Sequence, residues 1–190
     1  MFQLWGNPPR QGQTTRRMGT VIIMSKVIDI HSHFYPNNIE NLDTRFGEGV
    51  WPGFRKVSEN KGMITLNGED YRPIYDACWN ASKRIEEMDK YGVDVQIMCA
   101  TPILFAYEKQ SDQALECAQV INDIALELCS HDAARLKTMC QVPLQDIDLA
   151  CQEVERAMKS GHVAVQIGNH VKDKNLDDEG IVTFLQHCAS

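Results

Sequence analysis

An α/β fold built around a parallel sheet is what the sequence predicts. Two observations carry this. Strand-like runs with period-two patterning alternate with helix-like runs whose apolar residues recur every three or four positions. The last three strand-like runs are each followed by a helix-like one, the arrangement that places helices outside a parallel sheet.

The first element is "VIDIHSH", residues 27–33. Its alternation puts Ile28 and Ile30 on one face and Asp29, His31 and His33 on the other. Residues 34–80 form a long connection that holds Trp51 and Trp79. Within it Asn67-Gly68 separates two short β-like runs and predicts a hairpin. A helix follows over 80–92, with Asn80 as N-cap, Ile85 and Met88 on its buried face and Gly92 as its stop. Residues 93–102 read as a strand ended by Pro102. The longest helix covers 111–131, with Leu115, Ala118, Ile121, Ala125 and Leu128 inward. A strand over 136–143, a helix over 146–161, a strand over 162–170 and a helix from 177 complete the chain. Four such units suit either a small open sheet or half of an eight-unit barrel. No glycine-rich phosphate-binding motif follows any strand, which weakens nucleotide-binding versions of the open sheet.

Composition narrows the function. The 190 residues carry a net charge of −7, made of +4 in residues 1–26 and −11 beyond. An acidic body argues against nucleic acid as a partner, and no apolar run is long enough to cross a membrane. The seven cysteines are odd in number and irregularly spaced, with no Cys-x-x-Cys pair. They read as reduced, mostly buried thiols of a cytoplasmic protein. Residues 1–26 are basic, acid-free and broken by Pro8-Pro9. They read as a disordered N-terminal extension, with Met24 as a natural start.

The chemistry concentrates at His31 and His33. On one face of a strand their Cα atoms lie about 7 Å apart, and both rings can converge on one metal ion. Asp29, one pleat earlier, is placed to orient a ring. The carboxyl end of a first strand is where β/α folds keep their active sites. Two ligands fall short of a catalytic site, which needs at least three. The other histidines offer less. His131 suits a helix C-terminus, His162 and His187 read as structural, and His170 ends the fourth strand at the height of the pair.

"DIHSH" at a first-strand end resembles the amidohydrolase superfamily, whose metal-dependent (β/α)8 TIM barrels open with a His-x-His ligand pair. The runs "YRPIYDACWNASKRIEEMDKYGVDVQIMCATPILFAY", "QVPLQDIDLACQEVERA" and "VQIGNHVKDKNLDD" resemble one family within it, the aminocarboxymuconate-semialdehyde decarboxylases. The similarity runs from about residue 27 to residue 190. It implies the N-terminal half of a barrel, about four β/α units, with residues 34–80 as an insertion over the active-site face. It implies zinc held by His31 and His33, and a small-molecule substrate whose carboxylate is gripped by Arg72. A guanidinium fork suits a carboxylate bidentately. It further implies non-oxidative decarboxylation in the kynurenine route of tryptophan breakdown, and a homodimer when full length. The family's third histidine ligand, catalytic histidine and aspartate ligand come from later strands. No catalytic acid is therefore expected before Ser190, and the 190 residues alone are expected to be inactive. Two alternatives stand beside this reading: another decarboxylase or hydrolase of the superfamily, and an inactive fragment that associates with full-length subunits.

Overall fold

The computed structural model describes residues 25–39, 42–46 and 50–190. The expected N-terminal extension lies, up to residue 24, outside them. The four-stranded parallel sheet runs in the order β1 (Ile28–Phe34), β5 (Val95–Ala100), β6 (Leu136–Cys140), β7 (Ala164–Val165). Helices α2 (Ala81–Tyr91), α3 (Ser111–Ser130) and α4 (Ile147–Ser160) connect its strands, and α5 (Glu179–Cys188) follows.

Local chemistry sets the helix ends. Asn80 Oδ1 accepts the Lys83 amide and Asp146 Oδ1 accepts the Leu149 amide, so both helices start on side-chain caps. Gly92 and Gly161 end the same two helices in the left-handed conformation. On α3 the buried stripe is Ala114, Cys117, Ala118, Ile121, Ala125 and Cys129, joined by Asn122; Leu115 and Leu128 flank it half-buried. Small residues on this stripe let the helix lie close to β5 and β6.

The connection after β1 is more regular than the sequence suggests. After a short helix α1 (Leu42–Phe46), it folds into an antiparallel sheet of β2 (Pro52–Lys56), β3 (Lys61–Leu66) and β4 (Glu69–Tyr75). The hairpin at Asn67-Gly68 is present, with both residues at positive φ as a type I′ turn requires. Ile64 is fully buried, and Phe54 and Trp79 pack edge-on above it. Tyr35 fastens this sheet to the end of β1. Its hydroxyl donates to the Gly53 carbonyl (2.9 Å) and its amide to the Cys78 carbonyl (3.0 Å).

The strand expected over 162–170 is shorter. Only Ala164–Val165 form β7, flanked by hydrogen bonds from Val163 N to Thr138 O and from Gln166 N to Cys140 O. His170 lies in a separate hairpin, β8 (His170–Val171) with β9 (Lys174–Asn175). The Gly168 amide donates to the Tyr107 hydroxyl, and a Cβ on Gly168 would meet the Tyr107 ring at 3.0 Å. The chain is thereby drawn out of the sheet before His170.

The core has two parts. One joins β1, β5, α2 and α3 to the inserted sheet through Phe34, Tyr35, Met98 and Ile121. The other lies under β6 between α4 and α5, around Val142, Leu144, Ile181 and Phe184. All seven cysteines are free. Burial pushes the Cys99 and Cys129 thiols up to about 11 and those of Cys117 and Cys140 to about 12, so these four are inert at neutral pH. Among the described residues no helix is long and apolar enough to cross a membrane.

Candidate metal centre

His31 and His33 occupy the second half of β1. Their rings sit 5.3 Å apart, edge to face, on the same side of the strand. His33 is opposite Cys99 of β5 and half-buried; His31 is exposed. His33 Nδ1 lies 3.2 Å from the Ala100 carbonyl. A carbonyl can only accept, so Nδ1 carries the proton there and Nε2 keeps its lone pair. That is the tautomer a metal-binding histidine needs. The Cys99 thiol, 3.3 Å from the same nitrogen, also reaches the Ser32 carbonyl at 3.2 Å. Burial, foremost, holds the His33 imidazole below its ordinary pKa and so keeps it neutral.

Asp29 does not share this face. Between Asp29 and Ser32 the register slips: three steps along β1 match two along β5. This is a β-bulge of one extra residue. Before it, Asp29 stands opposite Gln96, on the side of the sheet where Met98 packs against the helices. After it, His33 stands opposite Cys99, on the other side. Asp29 therefore reaches neither ring. Its Oδ1 accepts the His31 amide (3.0 Å) and its Oδ2 accepts Gln96 Nε2 (2.8 Å).

Sequence reasoning missed Arg84, which is buried and donates to Gln96 Oε1 and the His33 carbonyl, both at 2.8 Å. A signal was available: Arg84 falls with Ala81 and Met88 on one helical stripe.

Arg72 lies on β4 opposite Ile64, with its guanidinium 5.7 Å from the Tyr71 ring and open to solvent. Among the described residues no hydrogen bond joins it to the histidines. His170 is exposed and pairs with Asn169, His131 caps α3 beside Ser82, His162 is buried at the start of the fourth unit, and His187 faces Glu155. Among the described residues no group of three or more metal-ligating side chains gathers. A cavity of about 380 Å³ is lined by Trp51, Leu66, Phe105, Tyr107, Lys109 and His170, and neither His31 nor His33 is among its lining residues. Lys109 stacks on the Trp51 ring at 4.4 Å.

No protein-family model matches the chain. It is 31% identical to a 2-amino-3-carboxymuconate-6-semialdehyde decarboxylase of Dictyostelium discoideum, over 85% of this chain and 45% of that protein. A Caenorhabditis elegans protein of the same name is 26% identical over 80% of this chain and 43% of its own length. The chain thus spans about half the length of the curated relatives it matches. Among solved structures, the Metarhizium anisopliae IDCase superposes with a TM-score of 0.66 at 17% identity, over 86% of this chain and 48% of that one. The 5-carboxyvanillate decarboxylase of Novosphingobium aromaticivorans, solved with manganese, gives 0.63 at 19% identity, over 85% and 47%. By sequence the chain is a relative of the 2-amino-3-carboxymuconate-6-semialdehyde decarboxylases, and its fold is that of about half a TIM barrel.

Proposed function

We propose that the chain forms part of a zinc-dependent decarboxylase that converts 2-amino-3-carboxymuconate 6-semialdehyde to 2-aminomuconate 6-semialdehyde and CO₂, in the kynurenine route of tryptophan breakdown. The observation that carries this is the His31–His33 pair, with His33 locked by the Ala100 carbonyl in the ligating tautomer. The two rings supply two of the nitrogen donors that zinc favours. Bound there, the metal supplies Lewis-acid polarisation of an oxygen.

The chain's own residues do three things. His31 and His33 present Nε2 atoms from one face of β1. The cavity walled by Trp51, Phe105 and Tyr107, which neither histidine lines, is read as the space that shields a planar substrate from water. Arg72 grips a substrate carboxylate from the inserted sheet, which we read as the cover of the active-site face. Loss of CO₂ leaves an electron pair on carbon that must take a proton. We assign that proton, and the remaining metal ligands, to later strands of the full-length protein, and read the 190 residues alone as inactive. The free cysteines fit a cytoplasmic setting, and the full-length protein is read as a homodimer.

The test is metal content and turnover of the purified protein. His31→Ala and His33→Ala should each lower the zinc measured by plasma mass spectrometry. Full zinc occupancy in both variants refutes the metal assignment. In full-length protein Arg72→Ala should weaken substrate binding by about 1.5–3 kcal/mol, the worth of a charge-assisted contact, seen as a raised KM with zinc retained. Sustained metal-dependent loss of semialdehyde absorbance by residues 1–190 overturns the assignment of the proton donor.

A further inference from the structure

We propose that Arg84 is the positioning residue of the histidine pair: one buried guanidinium holds the backbone of both His31 and His33. This rests on the reading of that pair as metal ligands.

Arg84 is a charged side chain on the buried stripe of α2, 6% exposed, where a methionine or leucine would fill the same space. Removing a guanidinium from water is costly unless its donors are used. Among the described residues it forms no ion pair with a carboxylate, and its Nε has no partner. One of its terminal nitrogens is spent on the histidine strand and the other on Gln96 of β5. Nη2 donates to the His33 carbonyl. Nη1 donates to Gln96 Oε1; Gln96 Nε2 donates to Asp29 Oδ2; Asp29 Oδ1 accepts the His31 amide. Both histidines thus hang from one group, one directly and one through two relays.

The topology explains the need. Among the described residues β1 stands at the end of the sheet order, with β5 as its ladder partner. The carbonyl of Phe34 accepts the Thr101 amide, on the β5 side. Carbonyls alternate sides along a strand, so that of His33 turns away from β5. Arg84 supplies its donor. The bulge makes the same demand at His31, whose amide is taken by a side chain instead of a strand. A histidine that ligates must hold its ring within a fraction of an ångström, and its orientation follows its backbone.

The experiment compares wild type, Arg84→Met and Arg84→Lys, without metal and with zinc. On the metal-free chain, amide hydrogen exchange of His31 is read against that of β6, and the nitrogen-15 shifts of the His33 ring report its tautomer. In Arg84→Met, His31 should exchange roughly tenfold faster while β6 is unmoved. Zinc affinity should fall about tenfold or more, as for other groups that orient ligands. Arg84→Lys, a single donor on a flexible stem, should recover part of both. Exchange and affinity within twofold of wild type in folded Arg84→Met overturn the proposal. Should that variant not fold, Gln96→Met decides: it cuts only the Asp29 branch, so His31 exchange should rise while the His33 tautomer stays, and unchanged exchange overturns the clamp. Full-length protein that takes up no His31-dependent zinc would refute the metal reading, and the exchange measurement would still judge the clamp.

Discussion

β1 and β7 are the two outer strands of one parallel sheet, and their sequences look alike. "VIDIHSH" and "HVAVQIGNH" both alternate apolar residues and both end in histidine. Yet β1 is a seven-residue strand and β7 a two-residue one. The difference lies in what takes hold of each beyond its one ladder partner. β1 is gripped by Arg84 through the His33 carbonyl and by Tyr35 through the inserted sheet. β7 is pulled aside at Gly168 by the Tyr107 hydroxyl. Side-chain alternation tells which face a residue prefers. The regularity of an outer strand depends on whether its unpaired backbone groups find donors and acceptors.

The largest expected effect comes from loosening β1. Tyr35 is fully buried, and its hydroxyl joins the end of β1 to the inserted sheet at the Gly53 carbonyl. Tyr35→Ala should cost about 3–5 kcal/mol, as for other large aromatic-to-alanine changes in a core, measured by urea unfolding. A loss below about 1 kcal/mol would mean the sheet is not anchored there.

The matching change at β7 is smaller. Tyr107→Phe removes the acceptor of the Gly168 amide and should cost about 0.5–1.5 kcal/mol. Hydrogen exchange should quicken at Gly168 and not in β1. Faster exchange in β1 would contradict independent control of the two edges.

A third test uses pH. His162, just before β7, donates from Nδ1 to the Ala157 carbonyl, and its buried Nε2 has no partner. Burial, foremost, holds its pKa below the ordinary 6.5. His33 on β1 is lowered for the same first cause. Between the folded value and 6.5 the unfolded chain binds more protons, so this stability is complete above pH 6.5. It is lost as the pH falls through the folded values. Unfolding midpoints at pH 7.5 and 5.5 should differ in that direction, and His162→Asn should flatten the slope. An unchanged slope would remove His162 from the account.

The smallest effect is expected at the exposed rims. Ile30 is 63% exposed on β1 and Val163 48% exposed before β7. Ile30→Lys and Val163→Lys should shift stability by no more than about 0.5 kcal/mol and reduce self-association in light scattering. Equal scattering from wild type and both variants would show that neither edge recruits another chain.

The fold was readable in the sequence wherever local chemistry decides it. Asn80 and Gly92, and Asn67-Gly68, each act on their own neighbours, and each stands where expected. The α/β architecture and the strand holding His31 and His33 followed from periodicity. What escaped depends on distant partners. The bulge between Asp29 and Ser32 exists only in relation to β5, so Asp29 was assigned to the wrong face. Arg84 looks like one of several charges in "SKRIEEMDK", and only the packing of α2 shows that it is inside. His170 was placed at the end of the fourth strand because nothing in "GNH" announces the hold of Tyr107 on Gly168.

The bulge has a consequence for inheritance. Asp29 and His33 are four residues apart, an even number, yet they serve opposite faces, which a straight strand forbids. A chain lacking one residue at this point would keep both pairings, Asp29 with Gln96 and His33 with Cys99, at odd spacing. The loss of a single codon here therefore leaves both faces dressed as before. The same event between His31 and His33 would send one ring to the helices. Length variation among descendants of this gene should gather at Ile30 and spare Ser32.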